Sequence, residues 1–402
     1  MRVLVLHNEY QRACGEDVVF RSETGLLTEH GVEVRTATRH NQEIASYGFA
    51  QKVKLWNDSR WSKRSADQVA DLVREFAPDI VHVHNFMPLW SPSVFNAARQ
   101  CGAATVLTLH NYRLFCMAGV TFRDGHSCHD CLGRSPLPGV LHRCYQKSLS
   151  GSIAVGAMLA SNRETWASNV DAYIALTPGA SEKFVRAGLP ARKIHVKANF
   201  IPDPLNGSDL PPLGDDALYV GQLSEVKGTR VLIEAWTGID SRLHVLGTGP
   251  LEPELKRTAP ASVVFRGWVP PNEVQTALRD ARLLIVPSLW EEPFGLVILE
   301  AFAMGRPVLG SRQGAIAELV RDGETGLLFE PGDVDDLKAK AMLLLKDHEL
   351  AARFGRAARR EYLLRYTPQV NFHELKKIYR SAIVQRHGAK TAEVAEGVRQ
   401  CA

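Results

Sequence analysis

A chain of 402 residues, 45% hydrophobic and 23% charged, is too long for one ordinary core and too apolar to be disordered. Its net charge of +4 is too mildly basic to argue for nucleic-acid binding. The longest apolar stretch, around 153–160, is far short of the roughly 20 residues of a membrane span, and Val3-Leu4-Val5-Leu6 turns polar at His7-Asn8, as a buried strand does and a signal peptide does not. A soluble, cytoplasmic, two-domain protein is expected.

In chain order, short β-branched runs at Arg2–Leu6, Glu33–Ala37, Ile80–His84, Ala104–Leu109, Ala172–Leu176 and Ile194–Lys197 alternate with helical patterns such as Asp17–His30 and Ser65–Phe76. That order predicts βαβ units on a parallel sheet. A Pro- and Gly-rich stretch, 202–214, reads as an interdomain linker. Strands resume at Ala217–Val220, Leu243–Leu246, Val263–Phe265, Leu283–Val286 and Pro307–Gly310. The expected fold class is α/β, with two Rossmann-like domains facing across a cleft. They are residues 1–203, with a Cys-rich insertion at about 112–148, and residues 204–370. Apolar residues at helical spacing over Pro368–Arg386 predict a closing helix, within 371–402, that packs back on the first domain before a polar tail from His387.

The most informative stretch runs from Val286 to Pro307. A strand meets a turn, Pro293-Phe294-Gly295 precedes a helix, and Gly305 stands where the helix ends. Backbone N–H groups at Gly295, Leu296 and Val297 are then free to meet phosphate. Glu292 and Glu300 lie eight residues apart, about 12 Å along a helix and within roughly a quarter-turn. That spacing suits a sugar hydroxyl at one acid, a ribose at the other and a diphosphate between. A glycosidase pair needs carboxyls facing each other at roughly 5–9.5 Å.

This stretch resembles the retaining family-4 glycosyltransferases of the GT-B fold, which carry Glu-x7-Glu followed by Ala-x-Ala-x-Gly-x-Pro-Val. The resemblance extends to Tyr219-Val220-Gly221-Gln222-Leu223-Ser224-Glu225-Val226-Lys227-Gly228, to Gly247-Thr248-Gly249 and to 314–328. It implies that Glu292 touches donor-sugar hydroxyls, Glu300 holds the ribose, and Lys227 neutralises the diphosphate leaving group. Gly221 and Gln222 join the donor site, although Gln222 stands where the family often has Arg; Arg312 or Arg12 is the candidate replacement charge. In the first half, Gly15 after Cys14 matches the family's phosphate-binding turn, and His110 in Thr108-Leu109-His110-Asn111 matches its histidine at the donor sugar. No residue is placed as a covalent nucleophile, which the resemblance matches with front-face displacement and no catalytic metal. Asp333-Val334-Asp335 follows Pro331-Gly332 at a helix start, where acids serve as caps.

His82 and His84 share one face of a buried strand and read as satisfied core or cleft-lining histidines. Cys116, Cys128, Cys131 and Cys144 have knuckle-like spacing, which suits structural zinc, with Fe–S the second choice; His126, His129 or His142 could replace one ligand. Within the family such an insertion marks a subset and bears on acceptor choice. Lys52, Lys54, Trp56, Arg60, Trp61, Lys63 and Arg64 suit a membrane surface or a phosphorylated acceptor, or else form a plain solvated face with Trp packed inward.

The function expected is therefore transfer of a hexose-type sugar, with retention, from a nucleotide-diphosphate sugar to a glycan, lipid-linked or small-molecule acceptor. Polysaccharide or glycoconjugate biosynthesis is the natural setting, at the inner face of the membrane if the basic stretch docks there. The alternatives are a GT-B nucleotide-sugar epimerase and a non-catalytic, metal-stapled binding protein.

Overall fold

Runs such as Val3-Leu4-Val5-Leu6 and Leu283-Leu284-Ile285-Val286 are apolar on both faces, the pattern of central parallel strands covered on both sides. In the computed structural model, which describes residues 1–11 and 15–399, they nucleate two units. The first comprises 1–119, 129–197 and the chain from Phe372 onward; the second comprises 120–128 and 198–371.

The first unit runs β1 (Arg2–Glu9), α1 (Gly15–Glu29), β2 (Glu33–His40), α2 (Phe49–Arg60), α3 (Lys63–Phe76), β3 (Ile80–Val83), α4 (Ser93–Gln100) and β4 (Ala104–Leu109). A short ribbon, β5 (Phe122–Arg123) and β6 (His126–Ser127), belongs to the second unit. The first then continues through α5 (Leu137–Leu141), α6 (Leu149–Ser161), β7 (Ala172–Ala175), α7 (Pro178–Arg186) and β8 (Ile194–Val196). Its six strands are parallel in the order β2-β1-β3-β4-β7-β8. The order reverses between β1 and β3, and the carboxyl ends there form the crevice in which open α/β sheets bind ligands.

The second unit runs β9 (Asp216–Val220), α8 (Thr229–Ala235), β10 (Leu243–Leu246), α9 (Glu252–Thr258), β11 (Val263–Gly267), α10 (Pro271–Asp280) and β12 (Ala281–Val286). It continues with α11 (Leu296–Ala303), β13 (Val308–Ser311), α12 (Gly314–Leu319), β14 (Gly326–Phe329), α13 (Val334–Lys346) and α14 (His348–Arg365). Its order, β11-β10-β9-β12-β13-β14, is again wholly parallel, with the reversal between β9 and β12. Strand β14, not foreseen from sequence, is a four-residue run hidden behind Gly323 and Gly326.

Helix α15 (Pro368–Arg399) sends Leu375, Ile378, Tyr379 and Ala382 into the core beneath Val3, Val5, Val106 and Ile174. It stays helical past His387, where the polar composition suggested a tail. The stretch read as a linker is bonded to the second unit. The buried Arg306 guanidinium donates to the carbonyls of Pro211, Pro212 and Arg279, and Arg359 makes a two-pronged pair with Asp203. Asp333 caps α13, its carboxylate accepting from the Asp336 amide at 2.9 Å. Among the described residues no helix is long and apolar enough to cross a membrane.

Candidate functional site

The reversal point of the second sheet gathers the acids and the lysine. After β9 the chain makes a single turn of 3-10 helix, Glu225–Lys227, and enters α8 through Gly228. Gly228 has φ 65°, and a Cβ there would lie 1.8 Å from the Pro287 carbonyl oxygen. Only glycine lets this turn close on the end of β12. The closure delivers Lys227 Nζ to Glu292 Oε1 at 2.7 Å. The Ser288 hydroxyl, at the end of β12, donates to the same oxygen. Gly314, at φ 52°, admits the start of α12 against the backbone of Glu291 and Glu292, and Ala315 N–H donates to the Glu292 carbonyl. Glu292 is buried and held from three sides.

Pro293, Phe294 and Gly295 then lead into α11, whose first residue is Leu296 and whose N-terminus has no side-chain cap. The amides at Gly295, Leu296 and Val297 therefore keep their donors and the positive end of the helix dipole for an anion. Glu300 follows on α11. Its carboxylate makes no hydrogen bond or ion pair with any described residue, and burial pushes its pKa up to about 6. A shielded carboxylate with no protein partner carries an energetic penalty that a hydroxyl-bearing ligand can remove. Gly221 and Gln222 follow β9; Gln222 is exposed, and its carbonyl accepts from the Tyr219 hydroxyl at 2.9 Å. Arg312 is occupied, pairing with Asp322 at 2.6 Å and Glu330 at 3.0 Å. Arg12 and Cys14 lie outside the described residues.

The first unit places His110 just beyond β4. Its Nε2 lies 3.0 Å from His84 Nδ1, and burial, with His7 and Lys197 nearby, pushes its pKa down to about 3. A small cavity of about 30 Å³ is lined by His84, His110, Asn111 and Arg113. Gly15 opens α1, whose first-turn acids turn to protein partners: Asp17 to His7, Glu16 to Asn111 and Tyr10.

The cysteine positions do not support the expected zinc centre. Four thiolates about 2.3 Å from one zinc stand within about 4 Å of one another. Among the described residues no three of Cys116, Cys128, Cys131 and Cys144 come within 4.8 Å. Cys116 and Cys144 pack against the apolar core of the first unit, whereas Cys128 closes the β5–β6 segment of the second. That segment leans on the loops before α11 and α12: Gln313 Nε2 donates to Ser127 at 2.6 Å, and Thr121 Oγ1 to Glu291 at 3.4 Å.

Residues 15–199 match the model of the glycosyl transferase 4-like domain, and residues 214–347 that of glycosyl transferases group 1. The chain belongs to this glycosyltransferase family. Among the relatives of this glycosyltransferase, the sulfoquinovosyl transferase of Arabidopsis thaliana is 28% identical over 368 residues, 85% of this chain and 66% of that one. The phosphatidyl-myo-inositol mannosyltransferase of Mycobacterium leprae is 28% identical over 62% of this chain and 68% of its own length. The alignments thus span about two thirds of these relatives. In fold, it resembles sucrose-phosphate synthase of Thermosynechococcus elongatus (TM-score 0.68, 18% identity, covering 96% of this chain and 100% of that one). Anabaena HepE in complex with UDP is similar too (TM-score 0.64, 18% identity, 94% and 99%).

Sequence reading missed three side chains of these sites. Ser288 carries no motif of its own. Glu23 and Lys197 form an ion pair wholly inside the first unit. Glu23 was legible in principle, because it interrupts the apolar stripe Val19, Phe20, Leu26, Leu27 of α1, where a charge demands a partner.

Proposed function

We propose that this glycosyltransferase moves a hexose-type sugar, with retention of configuration, from a nucleotide-diphosphate donor to a hydroxyl-bearing acceptor. The observation that carries the reading is Glu300, a shielded carboxylate without a partner among the described residues, on the same short helix whose uncapped start follows the Lys227–Glu292 pair. In this reading the diphosphate lies against the amides at 295–297 and Glu300 accepts from the ribose hydroxyls. Lys227 turns part of its charge to the leaving phosphate as negative charge develops there. Glu292 is then the acceptor for sugar hydroxyls, and His110 meets the sugar's outer group. Departure of the nucleoside diphosphate and attack by the acceptor hydroxyl occur on the same face, the departing oxygen taking the acceptor's proton. Since HepE is described with UDP, uridine diphosphate is the first nucleotide to test. Calorimetric titration with UDP-, GDP- and ADP-sugars, followed by product analysis, decides it. An axial donor must yield an axial product. Epimerised donor formed without acceptor supports the epimerase instead, and absence of any nucleotide binding removes both.

We also infer that the acceptor lies at an anionic membrane surface. Trp56 and Trp61 are 40% and 45% exposed, so they do not pack inward. Helix α6, without a charged residue in its thirteen, packs against α2 and α5 yet leaves Leu149 and Ile153 outside, and α5 exposes Leu137 and Leu141. A helix apolar on every side calls for an apolar partner on its outer face. Residues 49–64 and 131–163 together hold nine basic residues against one acid, a surplus of eight in a chain of net charge +4. Apolar side chains framed by cations match a bilayer with anionic headgroups. The full chain is expected to float with vesicles of phosphatidylcholine plus phosphatidylglycerol, and not with phosphatidylcholine alone. Leu141→Ser with Ile153→Ser, or Lys52→Gln with Lys54→Gln, should reduce recovery. Equal behaviour on both vesicles refutes the inference, as does a dimer in solution abolished by the same substitutions.

A further inference from the structure

The first unit buries a line of polar groups that the transfer step does not use directly. Lys197 Nζ donates to Glu23 Oε1, both side chains being at most 1% exposed. The other oxygen of Glu23 lies 3.4 Å from His84 Nε2, close enough for charge to act between them but outside hydrogen-bond geometry. His84 Nδ1 lies 3.0 Å from His110 Nε2. His110 Nδ1 has no partner among the described residues and is not among the fully buried polar atoms. Beside the line, His82 is held at both nitrogens, by the Tyr379 hydroxyl and the Thr108 hydroxyl at 2.8 Å each.

Glu23, His82 and His84 bring three ligand-type atoms within 4.8 Å. A metal ion is nevertheless a poor occupant. The Lys197 ammonium already supplies the positive charge at Glu23, and both nitrogens of His82 are engaged. The cluster instead has a direction. A carboxylate oxygen attracts an N–H and repels a ring lone pair at 3.4 Å, so the proton of a neutral His84 belongs on the nitrogen facing Glu23. Burial and the neighbouring imidazoles and Lys197 hold the pKa of His84 well below the usual histidine range, and His110 is likewise neutral, so each ring carries one N–H. With His84 Nε2 protonated, its Nδ1 must accept. The donor of the 3.0 Å bond is then His110 Nε2–H, and His110 Nδ1 is left bare.

We propose that Lys197, Glu23 and His84 are positioning residues that fix His110 in its Nε2–H form, so that the outer group this histidine recognises must itself donate a hydrogen bond. The substrate class follows, and rests on the sugar contact of His110 proposed above: a donor whose outer group is a neutral hydroxyl. A carboxylate or sulfonate would meet a lone pair with no proton between.

Long-range proton–nitrogen correlation NMR of the full chain with labelled imidazoles reads the tautomer directly, with or without donor. His110 is expected to show a protonated Nε2 and a bare Nδ1. Glu23→Gln provides the second measurement. An amide can accept from Lys197 with its oxygen and donate to His84 Nε2 with its NH2, which reverses the direction of the whole line. His110 should then carry its proton on Nδ1. The preference for a hexose over the matching uronate donor, read as a ratio of kcat/KM, should fall roughly tenfold, the worth of about one hydrogen bond. A purely structural role for Glu23 would lower activity toward both donors alike. The inference is overturned by a native His110 protonated on Nδ1, or by a folded Glu23→Gln protein whose tautomer and donor ratio are unchanged. If that variant does not fold, the native tautomer alone decides. Because the spectrum needs no donor, its failure is distinguishable from failure of the transferase reading, which would show as absence of nucleotide-sugar binding.

Discussion

Replacing Glu300 by Gln should stabilise the protein and impair it together. Burial raises this carboxyl from 4.5 to about 6 and no partner among the described residues offsets the effect, a step worth about 2 kcal/mol. In the unfolded chain the group titrates near the lower value, so between the two the folded protein holds the extra proton. Stability therefore falls as pH rises through this window and stays lower above it. Gln cannot ionise. The variant should gain about 2 kcal/mol at pH 8 but less than about half of that at pH 5. For a unit of this size, that is a rise in midpoint of about 4–8 °C at the higher pH. Urea unfolding of both proteins at the two pH values measures it. Donor affinity should move the other way, falling roughly 10- to 100-fold as charge-assisted bonds to ribose hydroxyls are lost. An equal change in stability at both pH values would refute the desolvation argument. Undiminished donor affinity would refute the ribose assignment.

Lys227→Met should lower kcat by roughly 100- to 1,000-fold, as losing a group that stabilises developing charge does, with a smaller effect on nucleotide binding; steady-state kinetics with a fixed acceptor would show the split. Gly228→Ala places a methyl in the Pro287 carbonyl at positive φ. It should cost at least about 2 kcal/mol by denaturant titration and weaken donor binding by moving Lys227 off Glu292. Treatment with a chelator should leave the melting temperature unchanged, since the three thiols of the first unit, Cys116, Cys131 and Cys144, do not converge; a fall accompanied by release of zinc would restore the metal-centre reading.

The sequence disclosed most where one local rule acted alone. Apolar runs located eleven strands, and the strand–turn–helix grammar of 286–307 located α11, with Glu300 on it and Glu292 in the turn before it. Closure was harder to read. Lys227 lies sixty-five positions from Glu292, and what joins them is the φ of Gly228 and the reversal of strand order at β9 and β12. Histidine polarity was harder still, because it depends on Glu23 from α1 and Lys197 after β8 meeting behind a third element. The cysteines show the opposite hazard. Their spacing alone resembles a zinc knuckle, yet Cys116, Cys131 and Cys144, all within the first unit, do not come within 4.8 Å of one another.

A crystal structure of the full chain with a nucleoside diphosphate tests the donor site most directly. The expected result has phosphate oxygens within hydrogen-bond distance of Lys227 Nζ and the amides at 295–297, and ribose hydroxyls on Glu300. Nucleotide bound elsewhere, with Glu300 still unpartnered, would contradict it.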